Sequence, residues 1–144
     1  MYQELIALFE NWANEKMVKL APLPLSGSAR RYCRITSETK QIIGVVNNDR
    51  KENEAFIYFS RHFKALGLNV PEVLAVNLDN DVYLLEDLGD ITLFSHLQKN
   101  KGVFSEETVA IYKNVIDSLL KFQIVAGRDL EYSYCYPRAS FDAQ

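Results

Sequence analysis

Three arginines, Arg30, Arg31 and Arg34, follow the small residues Ser26, Gly27, Ser28 and Ala29 in the stretch LPLSGSARRYCRI. Small residues in a turn let backbone amides approach an anion, and a guanidinium matches phosphate oxygens two at a time. The chemistry on offer is phosphate binding. The plain alternative is a polar turn between two strands, with solvated arginines and a surface salt bridge. A second candidate is LLEDLGD, residues 84–90, an apolar run that ends in acidic residues and a glycine able to turn the chain sharply. Glu52 and Glu54 offer carboxylates to a neighbouring cation. His62 and His96 have no Cys, His or carboxylate at metal-ligand spacing, so no metal is assigned to them. Cys33 and Cys135 lie far apart and form no CxxC, and read as reduced thiols of a cytoplasmic protein.

The elements that must hold these residues follow from periodicity. Residues 2–16 put Leu5, Leu8, Phe9 and Trp12 on one helical face. MVKLAPLPL alternates in part, and Pro22 and Pro24 confine it to a sheet edge. RRYCRITS and QIIGVVN read as strands, the second buried. Asp49 is a predicted N-cap with Glu52 three residues on, a capping-box arrangement. Ala55, Phe56, Phe59, Phe63 and Leu66 then recur at helical spacing, until Gly67 and Pro71 stop the helix. EVLAVNL and VYLLEDL form a predicted hairpin around Asp79-Asn80-Asp81. Residues 91–99 predict a short helix. Ser105 caps a longer one whose apolar face is Val109, Tyr112, Ile116, Leu119 and Leu120. The aromatic tail from Asp129 carries no stop signal, and its rings are expected to pack on something. The order predicts an α+β fold: a five-stranded antiparallel sheet with one packed helix over 50–66, plus an N-terminal helix and C-terminal helices.

A chain of 144 residues, 48% apolar and 24% charged, is long enough for a core of its own. A net charge of −3 argues against a nucleic-acid partner, which favours a basic face. No apolar run approaches the roughly 20 residues of a membrane span.

Three stretches carry a resemblance to a known family: SGSARRYCRI, residues 67–93 with VPEVLA and LLEDLGD, and YPRASFD at 136–142. They resemble the N-terminal lobe of the aminoglycoside-phosphotransferase-like kinases. The likeness is greatest to the bacterial kinases that phosphorylate N-acetylmuramate and N-acetylglucosamine at the anomeric position. The resemblance implies a protein-kinase-like N-lobe over 17–89, preceded by the helix at 1–16 and followed at 90–144 by the start of a second lobe that the chain does not complete. It implies ATP as cofactor and a sugar as substrate, with Mg²⁺ only in a complete parent protein.

Residue by residue, the resemblance makes Glu86, Asp87 and Leu88 the hinge, where the Glu86 carbonyl and the Leu88 amide would meet adenine. It makes Ser26, Gly27, Ser28 and Ala29 the hairpin over the phosphates. The strand lysine usual in such enzymes is missing from QIIGVVN, so an arginine would have to take its place. Alternation puts Arg30, Tyr32 and Arg34 on one face, and Arg31, Cys33 and Ile35 on the other. The Cys33 face is expected to line the core and run toward the cleft, which favours Arg31 for phosphate, then Arg34. Glu54 matches the family's helix glutamate, while Glu52 reads as a cap. Arg138 and Asp142 carry no assigned role. No Asp-x-x-x-x-Asn catalytic loop occurs, so the chain is not expected to transfer phosphate alone. The alternative reading is a non-catalytic module that binds a nucleotide or a partner.

Overall fold

Successive residues of a strand point to opposite faces, so each strand here feeds two cores rather than one. The computed structural model describes residues 2–24, 27, 29–99, 103, 105–138 and 140. Five strands, β1 (Lys19–Pro22), β2 (Arg31–Thr36), β3 (Gln41–Val46), β4 (Val73–Asn77) and β5 (Val82–Glu86), form one antiparallel sheet in the order β1-β2-β3-β5-β4. The proline-bearing β1 lies at an edge, as expected of a strand that cannot donate throughout.

One face carries Cys33, Ile35, Ile42, Val82 and Leu84, and packs against helix α1 (Gln3–Ala13) through Leu5, Phe9 and Ala13. Leu5 and Phe9 are fully buried, so α1 covers a sheet face as closely as any helix in the fold. Its approach depends on Gly44. A Cβ there would sit 2.8 Å from both Ile35 Cδ1 and Leu5 Cδ2.

The opposite face carries Val45, Tyr83 and Leu85, with Tyr32 and Ile43 packed beside them, and meets helix α2 (Arg50–Ala65) through Ile57 and Phe56. The sheet is thus covered on both faces, where one packed helix was expected. The residues of α2 that point inward are Asn53, Ala55, Ile57 and Ser60. Leu66 is exposed, and Phe63 turns to Phe122 rather than to the sheet.

The start of α2 is half a capping box. Asp49 accepts from the Glu52 amide at 3.0 Å, but the Glu52 side chain turns elsewhere. Asn47 and Asn53, both buried, bond to each other across the turn: Asn47 Nδ2 to Asn53 Oδ1 at 2.9 Å, and Asn53 Nδ2 to the Asn47 carbonyl at 2.6 Å. Buried amides paired in this way fix the angle at which α2 leaves β3.

Helices α3 (Leu93–Lys99) and α4 (Glu106–Leu120) follow the sheet, with Ser105 capping α4 through the Thr108 amide. The apolar face read in the sequence of α4 is largely exposed, including Ile116, Leu119 and Leu120, and Thr108 is its buried residue. The tail does pack. Tyr134 stacks on Tyr58 of α2 with centroids 4.1 Å apart, and the Tyr136 hydroxyl donates to Asp49. No helix among the described residues is long and apolar enough to cross a membrane.

Candidate functional site

The end of β5 is the most heavily constrained loop of the sheet. Glu86 donates its amide to the Glu72 carbonyl at 2.9 Å, while its carboxylate accepts from the Glu72 amide and from Lys64 Nζ, each at 3.1 Å. Those bonds hold the Glu86 carboxyl below its ordinary range, the Glu72 amide first and Lys64 second. Asp87 turns its side chain inward, where it is 5% exposed. It accepts from Arg34 Nε at 2.6 Å and Nη2 at 3.1 Å, from Gln41 Nε2 at 2.8 Å and from the Gly89 amide at 2.9 Å. The Arg34 bonds push the Asp87 carboxyl below the usual carboxylate range, against the opposing effect of burial. Gly89 sits at φ +82°, a conformation that suits glycine and lets the chain turn away from the sheet.

Leu88 lies between these fixed points and is exposed. Its amide makes no hydrogen bond among the described residues. Residues 85–90 form one wall of a cleft of about 250 Å³. Leu23, Tyr32, Ile43 and Pro71 add apolar surface to it, with Arg34 beside them. The cleft opens on the α2 side of the sheet, because Tyr32, Arg34, Ile43 and Leu85 share that face.

The face of β2 expected to line the core does so, but it does not run toward this cleft. The Cys33 and Ile35 face is sealed by α1, and burial pushes the Cys33 thiol up to about 11. Arg31 shares that parity, is exposed, and lines a different cavity of about 400 Å³ with Ala29, Val46 and residues 47–49. The face that reaches residues 85–90 is that of Tyr32 and Arg34. Arg34 is there, but its guanidinium is occupied. Besides Asp87 it bonds Asp90 through Nη2 at 2.8 Å and Nη1 at 3.2 Å. It ties β2 to the loop that follows β5.

The helix carboxylate also differs from the expected one. Glu54 pairs along the helix surface with Arg50 at 2.9 Å. Glu52 is the residue that reaches the sheet, where it meets Arg30 Nη2 at 3.2 Å and Asn47 Nδ2 at 2.8 Å. Arg30, with its side chain 13% exposed, also lies over the Phe56 ring at 4.7 Å. Arg30, just before β2, and Glu52 thus form a cation–carboxylate pair between the sheet and α2. Alternation already put Arg30 on the face of Tyr32 and Arg34, which was the available signal. Close by, the Tyr83 hydroxyl is fully buried and makes no hydrogen bond among the described residues, and burial drives its pKa up.

Of the small-residue turn, Gly27 and Ala29 are exposed, with open space around Gly27. Ser26, Ser28 and Asp142 lie outside the described residues. The ladder continues past β1 into the turn through the Leu23 amide and the Tyr32 carbonyl at 2.9 Å. Among the described residues no group of three His, Cys, Asp or Glu side chains could hold a metal ion. No family model matches the chain, and no curated protein is significantly similar to it.

Proposed function

We propose that this chain is the nucleotide-binding portion of an ATP-dependent phosphotransferase acting on a small molecule, an amino sugar by the likeness of its motifs. The observation that carries the reading is the cleft at the end of β5. A Leu88 amide with no hydrogen bond among the described residues stands at its rim, and apolar side chains from β2, β3 and β5 line it. A flat heteroaromatic base is suited by that combination: an apolar surface to lie on and one edge of backbone hydrogen-bonding groups. The Leu88 amide donates to a ring nitrogen, and the Glu86 carbonyl accepts from an exocyclic amine. Gly27 and Ala29 lie on the turn that would cover the phosphates, with Arg31 sharing a cavity with Ala29 and Arg30 held by Glu52. Mg²⁺ would enter with the nucleotide.

The sequence has no Asp-x-x-x-x-Asn loop to supply base and metal ligand, so on this reading it binds nucleotide without transferring phosphate. Incubation with ATP and N-acetylglucosamine tests this, and robust phosphorylation by the 144-residue chain refutes it. A second reading, a partner-binding module, is favoured by the exposed apolar side chains of α4. A chain that binds no nucleotide but associates through α4 supports that reading.

A further inference from the structure

The proposed base-binding edge includes an acidic residue, Asp87. A carboxylate accepts hydrogen bonds only, so it welcomes the N–H donors of guanine and repels the acceptor nitrogen of adenine. Asp87 belongs to the cleft wall, yet its carboxylate is almost fully buried and carries four hydrogen bonds. Two come from one guanidinium, whose planar fork fixes the direction of the carboxylate as well as its distance. Gln41 and the Gly89 amide hold it from the other sides.

We propose that Arg34 is a positioning residue that sets nucleobase selectivity: by clamping the Asp87 carboxylate inward, it leaves a backbone-only edge at residues 86–88, which fits adenine. The inference rests on the nucleotide reading above. Adenine offers a ring acceptor beside an amine donor, and meets one amide and one carbonyl. Guanine offers a carbonyl beside a ring N–H and an amine, and needs an extra acceptor to satisfy them. Asp87 is that acceptor, withheld. Asp90 is the weaker arm of the clamp, since its side chain is 77% exposed.

The test is titration calorimetry of the chain with ATP and with GTP, each variant first checked for folding by circular dichroism. The wild type favours ATP. Arg34→Ala weakens ATP binding by about tenfold, because the released carboxylate faces the acceptor edge of adenine, and narrows the ATP-to-GTP ratio. Arg34→Lys keeps the charge without the fork, and narrows the ratio less. It carries the same test if the alanine variant does not fold. In Arg34→Ala/Asp87→Ala the gain in relative GTP affinity disappears, because no side-chain acceptor is released. A folded Arg34→Ala with the wild-type ratio overturns the proposal, as does a GTP gain that survives Asp87→Ala. A wild type that binds neither nucleotide removes the nucleotide reading itself.

Discussion

Replacing Arg34 with alanine separates a buried ion pair from an exposed one on the same guanidinium. The Asp90 arm is mostly in water, and such a pair contributes about 0–1 kcal/mol. The Asp87 arm is different. Its carboxylate is 5% exposed, and after the substitution only Gln41 and the Gly89 amide still donate to it. Breaking a fully buried pair from one side costs about 3–5 kcal/mol. Arg34 is itself 20% exposed, so water can refill part of the vacated space, which lowers the cost to about 2–3 kcal/mol. Asp90→Ala should therefore cost about 0.5 kcal/mol, and Arg34→Ala about five times as much. Urea unfolding followed by circular dichroism measures both, provided the slope with denaturant stays constant. A cost for Arg34→Ala below about 1 kcal/mol, or one matched by Asp90→Ala, refutes the claim that Asp87 is the buried anchor.

Acid should act on the same anchor. The folded Asp87 carboxyl lies below its ordinary value, so its contribution to stability is complete above about pH 4 and is lost as pH falls through the lower folded value. Melting curves below pH 4 should flatten in Asp87→Asn relative to wild type. Gly44→Ala should cost about 1–3 kcal/mol, because the added methyl must displace Leu5 and Ile35 side chains from 2.8 Å contacts; a neutral melting temperature refutes the close approach of α1. Glu52→Gln should destabilise the fold by about 1–2 kcal/mol, since it removes the charge facing a largely buried Arg30, while Glu54→Gln stays within about 0.5 kcal/mol. Equal effects in urea titrations contradict the assignment of Glu52 as the inward carboxylate.

Local signals located the elements well, because caps, stops and alternation are written in short stretches. Asp49, Ser105 and Pro22 each act where their chemistry requires. Alternation also sorted the β2 side chains correctly onto two faces. It could not say which face meets which helix, since Cys33 and Ile35 look equally fit for either core. That choice is made by α1, whose Leu5 and Phe9 claim the Cys33 face through contacts remote in sequence. Once that face is sealed, Arg31 leaves the cleft and Arg34 enters it. The side-chain pairs were beyond reach for a similar reason. Arg34 meets Asp87 across 53 positions, and Asn47 holds Asn53 through a geometry that no spacing rule encodes. Glu52 was legible as part of a cap, but its side chain follows the nearer cation instead.

The central claim is that the cleft between the β5 end and the β2–β3 face holds a nucleobase. Titrating the ¹⁵N-labelled chain with ATP, and following its amide resonances, tests it most directly. The account predicts saturable shifts that are largest at Leu88 and Gly89 and extend to Tyr32 and Ile43, with weak affinity and no phosphate transfer. Unchanged spectra at millimolar ATP, or shifts confined to Arg31 and residues 47–49, would contradict it.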